Sequence, residues 1–247
     1  MSDLATIEPR FKGPPRSGNG GYTCGILGSL IGDSAEVTLK VPPPLETPLD
    51  VVHEDGAEEW LLKDGETVVA SGHRAELNVE VPGSVSVEEA TAAEAGYSGF
   101  EWHAFPECFV CGPDRHEHDG LRIFPGPVEG REIVASHWNP GQDVAGEFGA
   151  VSTRIVWAAL DCPSYFGGTL AGYPPFAVLG RLTAKLLKPV QIDQPHVVIG
   201  WPIEADERKW HGGTAIYDAN GGLKAFARAT WVVIPGDHAG FTPETAT

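Results

Sequence analysis

Two segments of the chain are apolar or small on almost every side. Residues 19–31 read NGGYTCGILGSLI and residues 150–162 read AVSTRIVWAALDC. With no polar face to present to water, each is predicted as a helix that is buried rather than laid on a surface. Elsewhere the apolar positions recur with period 2, which predicts strands. They are expected near 35–42, 48–54, 58–63, 66–71 and 73–81 after the first helix. In the second part they are expected near 120–125 and 131–138, then 178–188, 195–205, 212–218 and 222–234. Asp64-Gly65 and Asn220-Gly221 each separate two alternating runs, a strong hairpin signal. The stretch 82–106 breaks the pattern and reads as a connector holding a short Ala/Glu-rich helix.

The two parts resemble each other. Residues 36–52 align with 181–198, placing Lys40 against Lys185, Pro44 against Pro189, and Val51-Val52 against Val197-Val198 after one inserted residue. The hairpins at 61–79 and 215–233 also align. A buried helix followed by long antiparallel strands, written twice, predicts an α+β chain in which each sheet wraps its own helix. The two units then pair edge to edge or face to face. The expected division is 10–95, a connector at 96–107, 108–235, and a loose tail at 236–247.

Charge narrows the chemistry. Asp and Glu number 34 against 17 Lys and Arg, for a net charge of −17, which argues against a nucleic-acid surface. No apolar run reaches the roughly 18 residues of a membrane span, and MSDLATIEPRFKG does not read as a secretory signal. A soluble, cytoplasmic protein is expected. No G-x-S-x-G, strand-linked G-x-G-x-x-G or Walker A motif occurs, which disfavours serine-hydrolase and nucleotide chemistry.

Of four cysteines, Cys108 and Cys111 form a C-x-x-C near His103, His116 and His118. Two thiolates and two imidazoles could hold zinc. The histidine spacing is irregular, however, and no second C-x-x-C follows. The expectation is small, partly buried thiols in a turn, with no metal and no cofactor.

CFVCGPDRHEHDGLRIF at 108–124, HWNP at 137–140 and VWAALDCPS at 156–164 resemble the thioesterase branch of the hotdog fold, including the phenylacetyl-CoA thioesterase type. NGGYTCGILG at 19–28 resembles the His-Gly-Gly helix start of that branch, with Asn19 where the family has His. The resemblance implies a double hotdog, each half an antiparallel sheet wrapped around one central helix. It also implies an active site between the halves, one supplying the glycine-rich helix start and the other the acid.

Hydrolysing a thioester requires polarising its carbonyl and delivering an activated nucleophile. Free N–H groups at a helix N-terminus suit the first task and a carboxylate the second. On this reading Asp161 is general base or nucleophile, the N–H groups of Gly20 and Gly21 bind the thioester oxygen, and the Asn19 amide orients substrate or water. Tyr22, Arg154, Arg181 and Lys185 are candidate substrate-binding residues, the cations facing a CoA phosphate. Plainer roles stand beside these: Asn19 as an N-cap, Gly20-Gly21 as a tight turn, Asp161 as a polar helix end, and Arg181 and Lys185 as exposed strand charges. His211-Gly212-Gly213 repeats the His-Gly-Gly motif, but no helix is predicted after it.

The expected activity is hydrolysis of a small-molecule acyl-CoA thioester at one composite site, without nucleic acid or membrane as partner and with a homo-oligomer left open. The alternative is a non-catalytic acyl or acyl-CoA binding protein on the same scaffold. A hydratase or dehydratase is disfavoured because neither helix carries a histidine.

Overall fold

A computed structural model describes residues 3–54 and 56–234; the predicted tail at 236–247 lies outside them. Strand β1 (Asp3–Ala5) precedes helix α1 (Gly20–Ile31), which is followed by β2 (Ser34–Leu39), β3 (Leu49–Val52), β4 (Glu59–Asp64) and β5 (Thr67–Arg74). Helix α2 (Val87–Ala93), β6 (Gly126–Pro127) and β7 (Val134–Trp138) lead to α3 (Thr153–Ala159) and α4 (Cys162–Leu170). The last four strands are β8 (Ala177–Leu186), β9 (His196–Ala205), β10 (Lys209–Asp218) and β11 (Leu223–Val233).

These strands form one antiparallel sheet in the order β1-β3-β4-β5-β2-β8-β11-β10-β9-β7-β6. Read outward from its middle, β2-β5-β4-β3 on one side answers β8-β11-β10-β9 on the other. The two strand groups meet edge to edge. Their seam is β2 against β8, with Ser34 opposite Lys185 and Thr38 opposite Arg181. Both predicted hairpins form: Gly65 and Gly221 take positive φ at their turns, 54° and 78°.

Helix α1 begins where Asn19 accepts a hydrogen bond from the Tyr22 N–H at 2.8 Å, and ends at Gly32 with φ 129°. Nine of its 12 residues are buried, as the absence of a polar face predicts. It lies on the first-half strands and against α3, while α4 lies on the second-half strands.

Three predicted elements come out differently. The helix expected over 150–162 is two helices, broken at Leu160-Asp161. Carried on unbroken, it would drive the Pro163 ring into the Ala159 carbonyl. The strands expected at 66–71 and 73–81 are one strand, β5, followed by unpaired extended chain. Leu77, Val79 and Val81 alternate because they pack, together with α2, on the second-half sheet. The segment at 120–125 likewise buries Leu121, Ile123 and Phe124 without strand pairing.

Residues 77–93, placed in the first half by sequence, thus cover the outer face of the second. Val197, Ile199 and Trp201 of β9 meet them, whereas Val198 points to the main core. With both faces covered, β9 is buried without a break from His196 to Trp201.

The contact between α1 and α3 is closer than ordinary side chains allow. A Cβ on Gly25 would stand 2.8 Å from the Arg154 Cα, and one on Gly28 would stand 2.4 Å from the Trp157 ring. One on Gly21 would stand 2.6 Å from the Asp161 Cβ and 2.7 Å from the Trp157 carbonyl oxygen. These glycines, spaced four and three apart, form one stripe along the helix.

Alanine favours a helix over glycine by about 1 kcal/mol, yet here overpacking dominates. Gly25→Ala is expected to lower stability by about 1–3 kcal/mol, measured by urea denaturation. Unchanged or raised stability would show that α1 and α3 are not in contact at this glycine.

Candidate functional site

The close crossing brings the break between α3 and α4 against the start of α1. Asp161 occupies the N-cap position of α4, but its side chain makes no capping bond to its own helix. Instead its Oδ2 accepts from the Gly21 N–H at 2.8 Å and from the Asn19 Nδ2 at 3.0 Å. Asn19 thereby works in two directions, its oxygen capping α1 and its nitrogen holding the acid. The Asp161 backbone is fixed as well. Its carbonyl accepts from the Ser164 hydroxyl at 2.6 Å, and that hydroxyl accepts from the Trp231 indole N–H at 2.9 Å.

The carboxylate is 2% exposed, and its Oδ1 has no hydrogen-bond partner. Burial pushes its pKa up to about 7, while the bonds from Gly21 and Asn19 and the positive end of α1 favour the charge. An acid titrating near neutrality can both take and return a proton.

A cavity of about 330 Å³ is lined by His103, Cys108, Cys162, Phe166, Phe176 and Trp231 among others; Asp161 itself does not line it. Its walls are mostly apolar, which suits an acyl or aryl group. Cys162 follows Asp161 in the chain, and the Asn19 Nδ2 lies 3.8 Å from the Cys108 Sγ. The acid therefore sits directly behind the cavity wall. Hydrogen bonds from the Cys111 and Cys162 thiols hold the Cys108 thiol well below its usual range. Burial lowers the His103 pKa, which favours the neutral ring. The Phe105 N–H donates to its Nδ1 at 2.9 Å, so the ring proton resides on Nε2, 3.3 Å from the Cys111 Sγ.

Asp161, Asn19 and Gly21, expected at one site, come together there, with Asn19 and Gly21 both donating to the acid. In the structure the Gly21 N–H, expected to bind the thioester oxygen, donates to the acid. Gly20 packs against β8, where a Cβ on it would stand 2.8 Å from the Leu179 side chain. Tyr22 is buried, stacked on Phe11 with ring centroids 4.1 Å apart. Burial raises its phenol pKa, which the positive charge of Arg154 partly offsets.

Arg181 and Lys185 are not brought to the acid. They alternate on β8 with Leu182 and Ala184, which are in the core. Arg181 pairs with Glu36 at 3.2 Å and Lys185 lies 3.9 Å from Glu76. Of the histidines considered for a metal, His103 adjoins the C-x-x-C pair; His116 and His118 are exposed.

Sequence reasoning missed Cys162 and Ser164 as part of this constellation, and Gly25 and Gly28 as the surface that permits it. The spacing 21, 25, 28 was the available signal for the glycines.

The sequence matches no known family model and no curated protein. Solved structures do match it. A tesB protein of Mycobacterium avium subspecies paratuberculosis is 12% identical with TM-score 0.57, covering 94% of this chain and 92% of that one. A proposed thioesterase II from Thermobifida fusca is 14% identical with TM-score 0.58, covering 94% and 93%. A proposed thioesterase from Novosphingobium aromaticivorans is 10% identical with TM-score 0.57, covering 94% and 95%. The chain has the hotdog-type fold of these thioesterase structures over nearly all its length. None of the described helices is long and apolar enough to cross a membrane.

Asn19→Ala removes both the helix cap and a donor to the buried acid. It is expected to cost about 1–2 kcal/mol in urea denaturation. Asn19→Asp keeps a good cap but sets a second carboxylate against Asp161, so at alkaline pH it is expected to be less stable than Asn19→Ala. The reverse order would break the link between cap and acid.

Proposed function

We propose that the chain is an acyl-CoA thioesterase-like hydrolase of the cytoplasm, built as a double hotdog with one composite site between its halves. The observation carrying this reading is the Asp161 carboxylate, bound at 2.8 Å to the Gly21 N–H at the start of α1. One half contributes a helix N-terminus and the other an acid, beside an apolar cavity. The symmetry-related arrangement has neither component: the start of α3 carries Ser152 and Thr153 in place of the glycines, and α1 carries Gly28 in place of the acid.

In the resting site the acid holds the N–H that substrate needs. The thioester carbonyl oxygen takes the Gly21 N–H from Asp161, and the helix N-terminus stabilises the charge that develops on that oxygen. The released carboxylate takes a proton from water as the water oxygen attacks the carbonyl carbon. When the tetrahedral species collapses, the carbon–sulfur bond breaks and Asp161 returns the proton to the leaving thiolate. The products are a carboxylic acid and a free thiol. Asn19 keeps the carboxylate oriented throughout, and Gly21 needs no side chain because substrate must approach its backbone.

The acyl group is assigned to the cavity lined by Phe166, Phe176 and Trp231. Arg181 and Lys185 are engaged by carboxylates away from the acid, so Arg154, beside Tyr22, is the remaining cation of the expected set for an anionic part of the substrate.

A second reading, non-catalytic binding of an acyl thioester, is favoured by one observation: the Gly21 N–H is already occupied and Asp161 is almost wholly buried. Turnover of short, long and aromatic acyl-CoA thioesters, followed by free-thiol detection, separates the two. The hydrolase reading expects thiol release by the wild type and a loss of about 10²–10⁴-fold in kcat/KM for Asp161→Asn. Tight binding without release would select the binding protein. Equal turnover by Asp161→Asn would remove the acid from the mechanism.

A further inference from the structure

Three of the four cysteines converge on one point of the cavity wall. Cys108 and Cys111 come from the loop before β6, and Cys162 is the first residue of α4. Their sulfurs all lie within 4.8 Å of one another, and all three residues are buried. The Cys108 and Cys162 sulfurs are 3.8 Å apart. This is far beyond a disulfide bond of about 2.05 Å. It equals the edge of a tetrahedron around an ion with metal–sulfur bonds of about 2.3 Å, which comes to about 3.8 Å.

The local chain is shaped to present these thiols together. The Gly112 N–H donates to the Cys108 carbonyl at 2.9 Å and closes the C-x-x-C turn. A Cβ on Gly112 would stand 2.4 Å from the Pro106 carbonyl oxygen and 2.5 Å from the Cys108 nitrogen, so the turn requires glycine. The Tyr97 hydroxyl holds the Cys111 carbonyl at 2.8 Å.

Two of the sulfurs also receive N–H donors: the Asn19 Nδ2 at 3.8 Å from Cys108, and the His103 Nε2 at 3.3 Å from Cys111. Such donors disperse the charge of thiolates gathered around a cation. His103 serves in this way and not as a ligand, because the Phe105 N–H on its Nδ1 leaves the proton on Nε2.

We propose that Cys108, Cys111 and Cys162 bind a zinc ion that staples the 103–112 loop to the first turn of α4. Thiolate sulfur in tetrahedral array selects zinc among the common divalent ions. Three protein ligands leave the fourth position to a water molecule from the cavity that the cysteines border. The ion would tie down the residue that follows Asp161, and through Asn19 the start of α1. The site is independent of the thioesterase reading, and either can fail without the other.

The test is metal analysis of the full chain produced with zinc in the medium, together with optical spectra after exchange into cobalt(II). About one zinc per chain is expected, with cobalt giving thiolate-to-metal charge transfer in the near ultraviolet and tetrahedral bands in the visible. Cys111→Ser and Cys162→Ser should each lose the metal and the charge-transfer band. A chelator should lower the Tm of the wild type but not of a variant that remains folded. Zinc no higher in the wild type than in a triple Cys→Ser variant would overturn the proposal. So would cobalt spectra without thiolate charge transfer, or a disulfide among these cysteines found by mass spectrometry of the alkylated protein. The wild-type measurements stand even if the variants do not fold.

Discussion

Close approach of α1 to α3 is the contact on which the rest of the site depends. Along Gly21, Gly25 and Gly28 the first helix has no side chains, and the backbone and Trp157 ring of the second sit where they would be. That proximity lets a main-chain N–H of one half reach a carboxylate of the other. A side chain at Gly21 would separate the donor from the acid even if the fold survived. The glycines lose more chain entropy on folding than alanine would, and the return is a packed helix pair with backbone exposed to a functional group.

The second dependence is electrostatic. Asp161 is a carboxyl group of an already acidic chain, withdrawn from water with one oxygen unpartnered. The break at Leu160-Asp161 makes this tolerable, because it points the carboxylate at the start of a neighbouring helix, where partial positive charge and unpaired N–H groups reside. An unbroken helix running on to Leu170 would have left Asp161 in mid-helix, away from the Gly21 N–H that now meets it. Pro163 enforces the break, so a residue with no chemistry of its own decides which helix terminus the acid meets.

How much of this could be read from the sequence depended on range. The first buried helix and both hairpins are local patterns, and they appear within a few residues of their expected limits. The alternation Leu77-Val79-Val81 was read correctly as one buried side but wrongly as a strand: period 2 reports which side chains are covered, not whether the backbone is paired. Arg181 and Lys185 do share a face of β8, yet which face is inside depends on where α1 lies. Asn19, Gly21 and Asp161 were brought together through a family resemblance and a symmetry between halves, and the bond from Gly21 to the acid was not foreseen. Cys108 and Cys162, 54 residues apart, meet only because α4 starts immediately after the break.

The seam between β2 and β8 joins the halves into a single sheet, and that leaves few places for a stranger to attach. Its outermost strands among the described residues are β1, with three residues, and β6, with two, one of them Pro127. Margins so short offer little template for another chain. The long strands, which could recruit one, are enclosed between neighbours. Pairing of β2 with β8 makes an internal joint of two strands that would otherwise be edges, and so among the described residues the faces are more open to a further copy than the rims.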